Sequence, residues 1–206
     1  MSESSIHIFV ATAIEARAVG GGAVVIGPKA RKLPDIQHAG AIVVAGFGGA
    51  LDPTLRIGEI IIDAPEYLHL SGPWRRGRIH TADHIVATPA QKAELFRATG
   101  AIAVDMEQAR VQALADRLQV PLIGVRAISD RADHVIDPQL THCLDETGDI
   151  RSGVLIRQIF RKPAMIPRLI RLGIHSKKAS RALKHAMPAI MAELTAAIRR
   201  TPQSQK

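Results

Sequence analysis

Acidic and polar side chains gather in one stretch, Ala101 to Asp133, at spacings that suit a ligand site. Ala101–Val104 is a short apolar run that stops at Asp105, Met106 and Glu107. Gln108 to Leu118 then carries Ala109, Val111, Ala113, Leu114 and Leu118, positions that fit one stripe of a helix. Pro121 ends that helix, and Leu122–Val125 is a second buried-strand pattern that runs into Arg126, Ser129, Asp130 and Asp133. The spacing predicts two strand ends joined by a crossover helix, each delivering carboxylates and polar groups. In an open α/β sheet, ligands bind at the carboxyl ends of strands. The simpler alternative is that these charges cap the helix and solvate loops.

The elements that must hold this stretch can be read from the rest of the chain. Its 206 residues are enough for one α/β domain with a full core. Aromatic residues are scarce, so that core must be built from Ala, Val, Ile and Leu. Cys143 is the single cysteine, which excludes an intrachain disulfide framework or a cysteine-based metal site and suits a reducing compartment. The first residues lack a basic region before their apolar run and do not read as a signal peptide. No apolar run reaches the length of a membrane-spanning helix.

Taken in order, Ile6–Ala11 reads as a first buried strand, followed by Thr12 and a helix that begins near Glu15. After a Gly20–Gly22 turn, Ala23–Ile26 reads as a strand leading to Gly27, Pro28, Lys29 and Ala30. A glycine turn with a lysine suits an anion, through backbone N–H groups and a point charge, or is a solvated connection. Ala41–Ala45 is a third strand, and the run Gly46, Phe47, Gly48, Gly49 after it is expected to let backbone come close to a ligand. This run does not match a dinucleotide fingerprint, because Pro53 and Gly58 interrupt any following helix. Gly58–Asp63 reads as a fourth strand, and Arg78–Thr88 as a further one. His80 and His84 are four apart but share a strand face without a third ligand, so no metal site is expected. Thr88 and Pro89 open a capped helix over Ala90–Thr99. The adjacent His142 and Cys143 are a poor thiol–imidazole pair, since neighbours rarely aim at each other.

The segment "VDMEQARVQALADRLQVPLIGVRAISDRAD" resembles the carboxyl half of the nucleoside phosphorylase and nucleosidase family. Two motifs in order carry the likeness: Met106-Glu107, then Arg126, Ser129, Asp130, Ala132 and Asp133. "GFGGALDPTLRIGEII" resembles the family's glycine-rich segment, with Phe47 where a hydroxyl residue is common. The likeness covers nearly residues 6–135. Over Gly77–Leu118, with the basic tail, it extends to the hopanoid-associated phosphorylase branch, implicated in removing adenine from an adenosylated triterpenoid.

The resemblance implies an α/β three-layer sandwich, with a central mixed, largely parallel sheet flanked by helices. It implies a core over residues 1–150 and basic carboxyl-terminal helices over 151–206 that complete the domain. The implied reaction breaks the N-glycosidic bond of a purine nucleoside through an oxocarbenium-like transition state. Asp130 would be the general acid at the leaving base, provided that burial favours its protonated form. Glu107 would hold the ribose hydroxyls with Met106 packed on the sugar, and Glu15 matches the family's base on the attacking water. Arg126 would orient the nucleophile. Ser129, Ile85, Val86, Phe47, Gly48 and Gly49 are the remaining substrate-binding expectations, with Ile85 at a position where the family stacks an aromatic on the base. Gly27 and Lys29 are the phosphate-binding expectation. No cofactor is implied beyond phosphate as co-substrate. Water and phosphate both stay open as nucleophile, with a slight lean to phosphate.

The charge of +8 is uneven: residues 151–206 hold 13 Lys and Arg against Glu193 alone, or +12, which leaves −4 for residues 1–150. Segment 154–174 is basic and apolar with no acid, which suits an anionic membrane surface and a lipid-linked substrate. The bland reading of that segment is a solvated helix face or an oligomer contact. Nucleic acid is disfavoured because stacking aromatics are nearly absent. The expected setting is cytoplasmic, peripheral on the inner membrane face if that segment docks there, and the family implies a homo-oligomer. The competing functions are a soluble nucleosidase for small thioadenosines and a nucleoside-binding scaffold without chemistry.

Overall fold

The computed structural model describes residues 5–136 and 166–200. The loop reading beyond residue 136, the Cys143–His142 pair and segment 154–174 up to residue 165 lie outside the described residues. Among the described residues, eight strands form one sheet: β1 (Ile6–Val10), β2 (Ala23–Val25), β3 (Ala41–Ala50), β4 (Ile60–Asp63), β5 (Arg75–Arg76), β6 (Ile79–Thr81), β7 (Ala103–Asp105) and β8 (Leu122–Asp130). The main order is β2-β1-β3-β8-β4-β5, with β7 paired to the far end of β3 and β6 to β7. Pairings are parallel except β3 with β7 and β4 with β8. The sheet is mixed and mostly parallel, as the resemblance implies.

Alternation along the buried strands builds two cores. Val43 and Ala45 of β3, with Ile123 and Val125 of β8, face α1 (Ala13–Val19) and α4 (Ile166–Arg200). On α4, Ala179, Leu183, Met187, Ile190 and Leu194 supply the apolar stripe. Ile42 and Val44 face the other way, toward Val111, Leu114 and Ala115 of α3 (Gln108–Leu118). The helices therefore flank the sheet on both faces, and the carboxyl-terminal helix packs on the same sheet as the strands.

Three local readings differ from the sequence expectation. Gly46–Gly49 is not a loop: β3 continues through it to Ala50, because β7 and β8 supply its pairing partners. The strand expected over 78–88 shrinks to β6, and residues 82–88 become a connection to α2 (Pro89–Thr99). On α3, Ala109 and Ala113 are exposed, and the inward stripe is Val111, Leu114, Ala115 and Leu118.

Candidate active site

A cavity of about 500 Å³ opens at the carboxyl ends of β1, β7 and β8, where the topology predicts a ligand site. Its walls include Thr12 and Glu15 after β1, Lys29 and Arg31 after β2, Phe47–Gly49 of β3, and His84–Val86 after β6. Val104–Glu107 and Ser129–Asp130 complete it from β7 and β8, with Ile136 beyond. Glu107 and Asp130, 23 positions apart in the chain, thus face the same hollow. Phe47, Ile85, Val86, Met106 and Ile136 make much of the wall apolar. Gly27 does not line it, and neither does Arg126.

Glu15 is fixed by the start of its own helix. Thr12 and Glu15 form a reciprocal capping box on α1, and the Thr12 N–H and hydroxyl donate to Glu15 Oε2 at 2.9 and 3.0 Å. The Phe47 N–H donates to Glu15 Oε1 at 2.8 Å. A Cβ on Gly46 would stand 2.4 Å from Glu15 Oε1, so only glycine lets the carboxylate lie against β3. Burial pushes the Glu15 carboxyl above its ordinary value, opposed by the Phe47 N–H, Arg126 and Thr12.

Glu107 stands just before α3 and accepts the Lys29 N–H at Oε1, at 3.0 Å. Lys29 and Ala30 both hold left-handed backbone, φ 60° and 51°, a costly conformation for non-glycine residues that aims this N–H at the carboxylate. The Lys29 backbone donor is therefore spent on Glu107. Burial, with the charges of Glu15 and Asp105, pushes the Glu107 carboxyl up to about 7 against the pull of Arg126 and the Lys29 N–H.

Arg126 lies beneath the cavity. Its Nη2 pairs with Asp105, and its Nη1 donates to the carbonyls of Val44 (2.5 Å) and Val125 (3.0 Å). The expectation that Arg126 touches the nucleophile meets a guanidinium buried under the floor, where it acts on Glu15 and Glu107 through its charge. Asp105, which was not among the expected site residues, is also held by the Thr81 hydroxyl (2.6 Å) and the Gln108 N–H (3.0 Å). Three carboxyl groups, those of Asp105, Glu15 and Glu107, thus share this one guanidinium.

Asp130 closes β8. The β3–β8 register slips between Gly48 and Gly49, so Ser129 is an extra residue in β8. Neighbouring strand residues ordinarily point to opposite faces; the bulge lets Ser129 and Asp130 both line the cavity. The Ser129 hydroxyl lies 3.2 Å from Asp130 Oδ1 and 3.3 Å from the Gly48 carbonyl. Asp130 is buried, with a cation behind it. Lys92 of α2, 0% exposed, reaches Asp130 Oδ2 at 2.5 Å. Sequence reasoning missed Lys92. A signal existed: positions 92, 95 and 96 share a helix face, and Leu95 and Phe96 turn inward.

Comparison with known proteins gives a consistent picture. Residues 68–157 match the model of the phosphorylase superfamily. No curated protein matches. Among solved structures, the 5′-methylthioadenosine/S-adenosylhomocysteine nucleosidase of Helicobacter pylori superposes with TM-score 0.62 at 14% identity, over 94% of this chain and 100% of that one. Futalosine hydrolase of Helicobacter pylori gives 0.60 at 14% identity, over 93% and 98%. The nucleosidase of Campylobacter jejuni gives 0.61 at 16% identity, over 94% and 99%. The chain thus has the fold of the nucleoside phosphorylases and nucleosidases, and its residues 68–157 are similar to the phosphorylase superfamily.

Proposed function

We propose that the protein is an enzyme that cleaves the N-glycosidic bond of a purine nucleoside. The observation that carries this reading is the shared cavity of Glu107 and Asp130, with Glu15 on a third wall. In this reading Asp130 gives a proton to the departing base, and Glu107 accepts hydrogen bonds from the ribose hydroxyls while Met106 packs on the sugar. Phe47, Ile85 and Val86 clamp the faces of the base by apolar contact instead of aromatic stacking. Ionised carboxylates at the sugar stabilise its oxocarbenium-like character as the bond lengthens. Support from relatives is in kind: the similar structures are nucleosidases, and an Asp→Asn variant of the Helicobacter pylori nucleosidase holds 5′-methylthioadenosine in its active site.

Water is the favoured nucleophile. Glu15 holds a carboxylate at the wall where it repels an anion and accepts a proton, and Asp105 occupies the guanidinium best suited to phosphate. A phosphate reading rests on Lys29 and Arg31, which also line the cavity. The finer substrate proposal is an adenosyl group linked to a lipid. The apolar wall suits it, as does the exposed basic face of α4 at Arg171, Lys177, Lys178, Arg181 and Lys184 for an anionic membrane. No described helix is long and apolar enough to cross a membrane.

The test is base release from adenosine, 5′-methylthioadenosine and a lipid-linked adenosyl compound, each with and without phosphate. Base release without phosphate supports hydrolysis. Asp130→Asn and Glu107→Gln should each lower turnover by about 10²–10⁴-fold while the fold persists. Binding of adenosine without turnover in the wild type would leave only a scaffold.

A further inference from the structure

Lys92 is a fully buried lysine that the reading above does not use. It sits on the inward face of α2, does not line the cavity, and ends behind Asp130. Its ammonium has three donors and three acceptors: Asp130 Oδ2 at 2.5 Å, the Arg131 carbonyl at 2.7 Å and the His134 carbonyl at 3.3 Å. Taking an ammonium out of water is expensive, and a well-packed apolar side chain often serves stability as well or better. The location of the charge therefore calls for a reason other than stability.

Geometry supplies one. Asp130 is the only charged group through which Lys92 meets the cavity among the described residues. The two carbonyls bound by Lys92 belong to the turn that follows Asp130, so one ammonium fixes both the carboxylate and the backbone beyond it. Ser129 approaches the other carboxylate oxygen. The carboxyl group is thus held on both oxygens, with a proton-bearing nitrogen on the side away from the ligand.

We propose that Lys92 is the positioning residue and proton source behind Asp130, so that a Lys92–Asp130 dyad, not an isolated carboxyl, protonates the leaving base. This rests on the nucleoside-cleaving reading. As the C–N bond breaks, its electron pair goes to the base. A ring nitrogen of the base takes a proton from Asp130, and Asp130 takes one from Lys92 Nζ. An N–H bond forms on the base and an N–H bond breaks at Lys92, which is left as a neutral amine. Attack by water on the sugar releases a proton to Glu15, and exchange with solvent returns Lys92 to the ammonium.

The experiment compares a purine nucleoside, whose base leaves only with a proton, with 4-nitrophenyl β-D-ribofuranoside, whose phenolate leaves without one. Lys92→Met should lower kcat on the purine nucleoside by about 10²-fold or more with little change in KM, and leave cleavage of the nitrophenyl riboside within about threefold. Asp130→Asn should show the same split. The double variant Lys92→Met/Asp130→Asn should be no slower than the worse single variant, because the two residues act as a unit. Turnover of the nitrophenyl riboside also reports that each variant folds. Equal losses of Lys92→Met on both substrates, or additive losses in the double variant, would overturn the dyad. Wild-type purine turnover in Lys92→Met would overturn it as well. Wild-type purine turnover in Asp130→Asn would overturn the acid role of Asp130, and the dyad with it, whereas no purine turnover in the wild-type protein would overturn the nucleoside-cleaving reading itself.

Discussion

Arg126 and Asp105 form a buried ion pair at the base of the cavity, in which Asp105 reaches the lining and Arg126 lies behind it. The pair links β8 to β7, two strands that are not neighbours in the sheet and meet only through β3. It therefore sets the relative position of the elements that carry Asp130 and Glu107.

Removing one partner should be costly. Asp105→Asn leaves a buried guanidinium short of its counter-ion and should destabilise the protein by about 3–5 kcal/mol. Asp35→Asn, which breaks the exposed pair with Arg117, should have no measurable effect. Urea unfolding of the two variants checks both. Similar midpoints would show that the buried pair does not lock the strands.

Stability should fall as pH rises from about 4.5 to about 7, in part through Glu107. Its carboxyl is pushed up to about 7 in the folded protein from an ordinary 4.5, mainly by burial. Below the lower value both states are protonated, and the contribution is fully present. Between the two, the unfolded chain ionises while the folded one keeps its proton, and about 3 kcal/mol is lost. Above about pH 7 the contribution is flat. Glu107→Gln removes this contribution, so the stability difference between wild type and variant should change over that window. A difference independent of pH contradicts the burial argument.

Gly46→Ala should evict Glu15. The new methyl would stand 2.4 Å from Oε1, and the Phe47 N–H bond would be lost with the displaced carboxylate. The expected outcome is a loss of about 1–3 kcal/mol in stability and about 10²-fold or more in hydrolysis. Unchanged hydrolysis would show that Glu15 is not the base.

Leu183→Ala should cost about 2–5 kcal/mol, because Leu183 is wholly buried where α4 meets the sheet. Thermal or urea unfolding measures it. A small loss would mean that α4 docks loosely and that the residues before it form the stable unit alone.

Much of this molecule was readable before any coordinates. Periodicity placed α3 at Gln108–Leu118 with its observed limits, because Pro121 and a 3.6-residue stripe constrain it from both ends. The same apolar runs located β1, β2, β4 and β8. The glycine run of β3 misled, since glycine disfavours strands locally while pairing with β7 and β8 overrides that preference. The family likeness named Glu15, Glu107, Ser129 and Asp130, and the fold brings them to one cavity. The support beneath them was less legible. Lys92 is marked only by sharing a helix face with Leu95 and Phe96, and the Arg126–Asp105 pairing depends on strand register that no local pattern encodes.

The extra residue at Ser129 has a consequence for how chains of this architecture can change over time. Side chains around the hollow can be exchanged one by one, and identities of 14–18% with similar folds show how far such drift reaches. Chain length at the end of β8 is another matter. Deleting a single residue there restores perfect alternation, so that only one of the two successive side chains can face the hollow, and no substitution nearby returns the pair. What inheritance must guard at that point is a count, and only afterwards a choice of amino acid.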